Sequence, residues 1–265
     1  DLTHQKIADF LGVNGLFNPR ILDLLRAANI WQLELTDSVV DEAGLNLLGR
    51  ELLQVFIKPN SFGKLSVMDL RDTPLRDIDL TYVHHLSGLA VLLLDNTGIG
   101  NEAMYHLVSL RRTLTDLHVR TNPAIDDDAV PALLMLNKLR SLSLYGTSVE
   151  MPGLRRFART INQEDRHLDI EIPVPCEEYI EDMASKYMIN PHPPLIVDPA
   201  ACDSLSVAAL KRNLSEHANY NNTIIASGTK VEMAVRLRGI LETRKMDLLV
   251  RTMLWGEEGQ ESVEV

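Results

Sequence analysis

Chemistry that needs clustered acids, imidazoles or thiols has few places to reside in this 265-residue chain. Asp126-Asp127-Asp128 offers three adjacent carboxylates, but a calcium loop also needs an interior Gly and a distal Glu at fixed spacing, which the run lacks. Helix capping is the expectation there. His84-His85 are expected at the C-terminal end of a helix, where the dipole favours positive charge. The two cysteines, Cys176 and Cys202, show no CxxC and no His at ligand spacing. Neither a metal site nor a disulfide framework is expected, no cofactor is implied, and a reducing compartment fits. Glu177, Glu178, Glu181 and Asp182 read as a solvated helical face. No Walker loop, GxSxG, HExxH or dinucleotide fingerprint appears. The expectation is a non-enzyme without catalytic residues.

Charge points to binding. Residues 1–204 carry 18 Lys/Arg against 29 Asp/Glu, residues 205–255 carry 8 against 4, and 256–265 carry four Glu and no base. An acidic body is a poor sheath for nucleic acid, because phosphate contacts need clustered Lys and Arg. The basic segment is therefore a different unit, separated by the Pro-rich stretch from Pro191 to Pro199, which reads as a linker. No run of 18 or more apolar residues exists, so no membrane span is expected. The N-terminus has no basic-then-apolar signal pattern.

What must position any binding residues is a repeat. The pattern apolar-x-x-apolar-x-apolar-x-x-Thr/Ser/Asn-x-apolar occurs at Ile30-Leu33-Leu35-Ser38-Val40, Leu65-Met68-Leu70-Thr73-Leu75, Leu89-Leu92-Leu94-Thr97-Ile99 and Leu139-Leu142-Leu144-Thr147-Val149. Leu114-Leu117-Val119-Asn122-Ile125 follows it with one extra residue. Starts at 65, 89, 114 and 139 lie in the leucine-rich repeat period. The first half of each copy alternates as a short strand. The second half reads as a helix, with Asp41-Glu42, Asn101-Glu102 and Asp126-Asp127 supplying N-cap acceptors. One such unit cannot bury its own Leu ladder, and stacking closes the core. Leu168–Ile172 alternates as a last strand, and the apolar run from Ile7 to Leu25 is expected to form helices capping the first repeat.

The expected architecture is an α/β solenoid: a leucine-rich repeat horseshoe of about five strand–helix repeats (30–172) behind a helical cap (1–29). A helix and linker (173–204), a small α-helical module (205–255) and an acidic tail (256–265) follow. Residues between the strand leucines face the concave side. There Val67, Val91 and Leu93 form an apolar centre, with Arg71, Asp95, His118, Arg120 and Tyr145 around it, types favoured at binding hot spots. These eight are the candidate contacts for a protein partner, with an internal Arg71–Asp95 ion pair as the bland alternative.

Ser38-Val39-Val40-Asp41-Glu42-Ala43-Gly44-Leu45 and Thr97-Gly98-Ile99-Gly100-Asn101-Glu102-Ala103-Met104 resemble the T-x-I-T-D-E-G-L stretch of helical leucine-rich repeats of the ribonuclease-inhibitor and F-box-associated type. The resemblance covers roughly residues 30–172 and implies fold more than function. Residues 205–241 resemble a SAP motif through Leu205, Leu210-Lys211, Leu214, Ser227-Gly228-Thr229-Lys230, Met233, Arg236-Leu237 and Leu241. The link from His217 to Ala226 is longer than the family's, and a separate helix from Arg244 to Trp255 is expected to pack on the pair. This resemblance implies weak, sequence-tolerant DNA or RNA binding, with Lys211, Arg212, Lys230 and Arg236 as phosphate contacts, or else a protein-docking element. Together the features imply a scaffold in the nucleus or cytoplasm, the nucleus favoured, tethered to chromatin, RNA or a nuclear complex. The alternative is a substrate-recognition adaptor of a ubiquitin ligase.

Overall fold

The computed structural model describes residues 2–40, 49–58 and 61–256. Six three-residue strands form one parallel sheet in chain order: β1 (Gln32–Glu34), β2 (Val67–Asp69), β3 (Val91–Leu93), β4 (Asp116–His118), β5 (Ser141–Ser143) and β6 (Asp169–Glu171). Parallel neighbours require a crossover between each pair, and helical segments supply it, so the fold is α/β.

The strand centres explain the sheet. Leu33, Met68, Leu92, Leu117, Leu142 and Ile170 face one another in register and are all buried. The residues on each side of them in the repeat pattern, such as Leu65 and Leu70 or Leu114 and Val119, are also buried. Burying one such side chain stabilises the fold by about 1.5–3 kcal/mol, and the ladder sums this across every strand.

Helices pack against this ladder from one side. α1 (His4–Val13), α2 (Pro19–Leu25), α3 (Thr36–Val40) and α4 (Gly49–Leu53) lie at the β1 end. Then come a 3-10 helix (Asp77–His85), α5 (Asn101–Leu107), α6 (Val130–Met135) and α7 (Met151–Gln163). The predicted helical cap is α1 and α2; Pro19 opens α2 as its first residue, where it loses no hydrogen bond. Gln5 on α1 seals the sheet edge: its Oε1 accepts the N–H groups of Trp31 and Gln32, and its Nε2 donates to the Gln32 carbonyl. That removes part of an open edge that could template pairing with another chain.

After four strands the chain turns through one left-handed residue: Asp72 (φ 57°), Asn96 (53°), Thr121 (56°) and Gly146 (70°). Asp, Asn and Gly tolerate this region, whereas β-branched Thr121 is strained there. The polar residue following each turn bonds to backbone. Thr97 and Thr147 donate to the carbonyls of Leu94 and Leu144. Asn122, fully buried, accepts from the N–H groups of Thr97 and Gly98 and donates to the carbonyls of Leu94, Val119 and Arg120.

Helix starts depart from the expectation in one case. Asn101 does not cap α5; Gly100 holds that position, and Asn101 exchanges hydrogen bonds with Asp126 of the next segment. Asp126 accepts from the Asp128 N–H as a cap, and Asp127 accepts from Glu150 and Gly153 at the start of α7. The Asp run is thus used in capping and in joining neighbours. The Asp41–Leu45 start lies outside the described residues.

Beyond β6 come α8 (Val174–Glu181), α9 (Val207–Ala218) and α10 (Lys230–Trp255). The separate helix expected from Arg244 is absent: Glu242-Thr243-Arg244 holds no Gly or Pro to break the turn, so α10 runs unbroken for 26 residues. The stretch expected as a linker is tied down. Ile196 N–H donates to Asn213 Oδ1, and Arg212 donates to the Pro194 carbonyl.

Candidate functional site

The strand register brings the sequence-predicted contacts together on the exposed sheet face. One row pairs Gln32, Val67, Val91, Asp116, Ser141 and Asp169; the next pairs Glu34, Asp69, Leu93, His118, Ser143 and Glu171. Val67, Val91, Leu93 and His118 are half-buried, while Arg71, Arg120 and Tyr145 are exposed just past their strands. The centre is aliphatic and partly accessible to solvent, with Arg71, Arg120 and Tyr145 beside it.

Internal ion pairs are present on this face, as in the alternative reading, but with other partners than Arg71–Asp95. Arg71 Nε and Nη2 grip Asp69, two residues before it on the same side of the strand, at 3.0 and 2.5 Å. That geometry is bidentate, and the Asp69 hydrogen bond raises the Arg71 pKa despite partial burial. Asp95 accepts the Arg120 backbone N–H at 2.8 Å instead. Arg120 crosses Ser143 to reach Glu171 at 2.6 Å, and Ser143 also donates to that carboxylate. Glu171 escaped the sequence reading because its partner lies 51 residues away.

The basic segment folds as a helix–loop–helix with its own small core of Cys202, Leu210, Leu214, Met233, Ala234, Leu237 and Leu241. Thr229 caps α10 in a capping box with Glu232. Lys211 and Lys230 are exposed, without a hydrogen-bond or ion-pair partner among the described residues. Arg236 is committed to the loop, donating to the carbonyls of Ile225 (2.6 Å) and Ser227 (3.1 Å), and Arg212 holds Pro194. Of the four predicted phosphate contacts, two are open and two brace the backbone.

A polar cluster missed by sequence joins this unit to the sheet domain. Asp247 of α10, fully buried, accepts from Arg155 Nε (2.7 Å) on α7, Tyr179 OH (3.1 Å) on α8 and Tyr187 OH (2.7 Å). Arg244 donates to the Ile189 carbonyl, and Arg251, also buried, leaves Nε without an acceptor. Burial and the adjacent Asp247 push the Tyr187 and Tyr179 hydroxyl pKa values up. The Asp at heptad-like position within an apolar stripe was the available signal.

Cys176 is buried, and that burial raises its thiol to about 11, which leaves it unreactive. No group of three or more His, Cys, Asp or Glu among the described residues is placed to hold a metal ion. No described helix is long and apolar enough to cross a membrane. No protein-family model matches the chain, and no curated protein matches its sequence.

Proposed function

We propose that the chain is a leucine-rich-repeat-type solenoid scaffold that docks a protein on the exposed, concave sheet face. The α9–α10 unit, SAP-like in its residues, tethers it to chromatin, RNA or another subunit of a nuclear complex. The observation that carries the first part is the register itself: Val67, Val91 and Leu93 form a solvent-accessible aliphatic centre ringed by Arg71, His118, Arg120 and Tyr145. Support for the second part is the +4 balance of residues 205–255 and the open Lys211 and Lys230.

The test is capture from native extract by the full chain and by Val91→Glu/Leu93→Glu. The double variant should lose the main captured protein while its melting temperature changes little, since both side chains are half-buried. Unchanged capture moves the interface off the sheet face. For the tether, gel shifts of the full chain should show weak binding with a log–log salt slope of about −2, from two open lysines. Lys211→Glu/Lys230→Glu should abolish it. No shift at low salt makes the unit a protein-docking element.

A further inference from the structure

At the β6 end of the sheet face a cavity of about 340 Å³ is bounded by β6, α8 and the last turn of α10. Two aromatic rings line it, Tyr145 and Trp255, together with Leu254, Ile172 and the carboxylates of Glu171 and Glu177. Both aromatic residues are 45% exposed, so their faces are available to a ligand. Glu171 is held by Arg120 and Ser143. Glu177 is exposed, and its carboxylate has no hydrogen-bond or ion-pair partner among the described residues. Aromatic faces attract a cation through the ring quadrupole, and a carboxylate beside them accepts its N–H groups. The same combination is already filled elsewhere in the chain, where Arg155 and Lys186 each lie 5.6 Å from the Tyr179 ring centroid.

The face leading to this cavity has matching charge. Its two rows hold five carboxylates, with Asp95 a sixth just past β3, against the guanidiniums of Arg71 and Arg120, which are bonded to Asp69 and Glu171. Asp116 and Asp169 have no ion pair among the described residues, and Glu34 and Asp95 share the field of Arg71, whose guanidinium is bonded to Asp69. An extended segment crossing the strands would meet the aliphatic centre first and the aromatic cavity last.

We infer that this cavity takes an arginine or lysine side chain of a basic protein segment, with an apolar residue about four positions away along the extended segment lying over Val91 and Leu93. The inference rests on the sheet face being the docking surface and adds the partner's chemistry and its anchor.

The test uses the full chain carrying Trp31→Phe, which leaves Trp255 as the only tryptophan. The probe is a synthetic dodecapeptide with four arginines and one leucine, titrated at low salt beside the same peptide with glutamate in place of arginine. The arginine peptide alone should change Trp255 emission saturably. Its Kd should rise about tenfold in Tyr145→Ala and in Glu177→Gln, and Tyr145→Phe should restore it. Glu181→Gln, an exposed carboxylate on the same helix as Glu177 but outside the cavity lining, should leave it unchanged. The inference is overturned if the glutamate peptide binds as well, if both cavity variants stay within about twofold of the parent, or if Glu181→Gln costs as much as Glu177→Gln. Losing partner capture in Val91→Glu/Leu93→Glu while the cavity variants still bind the arginine peptide normally would keep the docking face and discard the cation cavity.

Discussion

Replacing Asp247 should loosen the C-terminal helices from the sheet domain more than any other single change on α10. Its carboxylate is 0% exposed and receives hydrogen bonds from Arg155, Tyr179 and Tyr187. In Asp247→Asn the shape survives, but Arg155 loses its counter-charge, and Arg244 and Arg251 stand on the same helix with no other carboxylate paired to them. Removing one partner of a buried pair costs about 3–5 kcal/mol. With Arg251 buried and Arg155 and Arg244 half-buried around it, the site lies toward the upper end, about 4 kcal/mol. With an m-value of about 3 kcal/mol/M, the urea midpoint should fall by about 1.3 M. Arg155→Met/Asp247→Leu removes both charges together and should recover part of that loss, and the double-mutant cycle isolates the pair. A midpoint shift below about 0.3 M for Asp247→Asn, or a double variant no better than the single one, would refute the reasoning.

Other outcomes follow from the same geometry. His217 is buried, its Nδ1 accepts the Met188 N–H, and burial with nearby Arg244 lowers its pKa from 6.5 to about 4. A depressed folded pKa means the stability it contributes is intact above pH 6.5 and is lost as pH falls toward 4. The loss totals about 3 kcal/mol, and it should flatten in His217→Gln when urea unfolding is repeated across that window. Asn122→Ala leaves the buried Thr97 N–H and Val119 carbonyl without their side-chain partner and removes one of two donors to the Leu94 carbonyl, and it should cost about 3 kcal/mol in the same assay. Gly15→Ala should cost about 1–3 kcal/mol, because φ is +59° and a Cβ would sit 2.6 Å from the Asp37 carbonyl.

Much of the sheet was legible because its cause is local. Apolar spacing names the buried strand centres, and equal repeat lengths set the register, so Val67, Val91 and Leu93 could be aligned from sequence alone. The capping of α10 by Thr229 was legible for the same reason, since cap and acceptor are three residues apart. What escaped depends on distance or on competition. Arg71 had two acidic neighbours in reach and chose Asp69, whose side chain projects from the same strand face. Arg120 found Glu171 across two strands, and Asp247 found Arg155 across 92 residues. Arg236 looked like a phosphate contact, but the long link after α9 leaves carbonyls that need a donor, and Arg236 supplies it. The cavity at Tyr145 and Trp255 required knowing that α10 continues unbroken to β6, which no breaker-free stretch announces by itself.

The central claim is that the exposed sheet face carries the partner, and photo-crosslinking tests it most directly. Benzoylphenylalanine is placed at Leu93 on that face, and in a second protein at Tyr105 on α5, which is 49% exposed away from it. In native extract the Leu93 position should give one discrete adduct, competed by unlabelled chain, and the Tyr105 position should not. The same adduct from Tyr105, or none from Leu93 while the protein still captures its partner, would contradict the account.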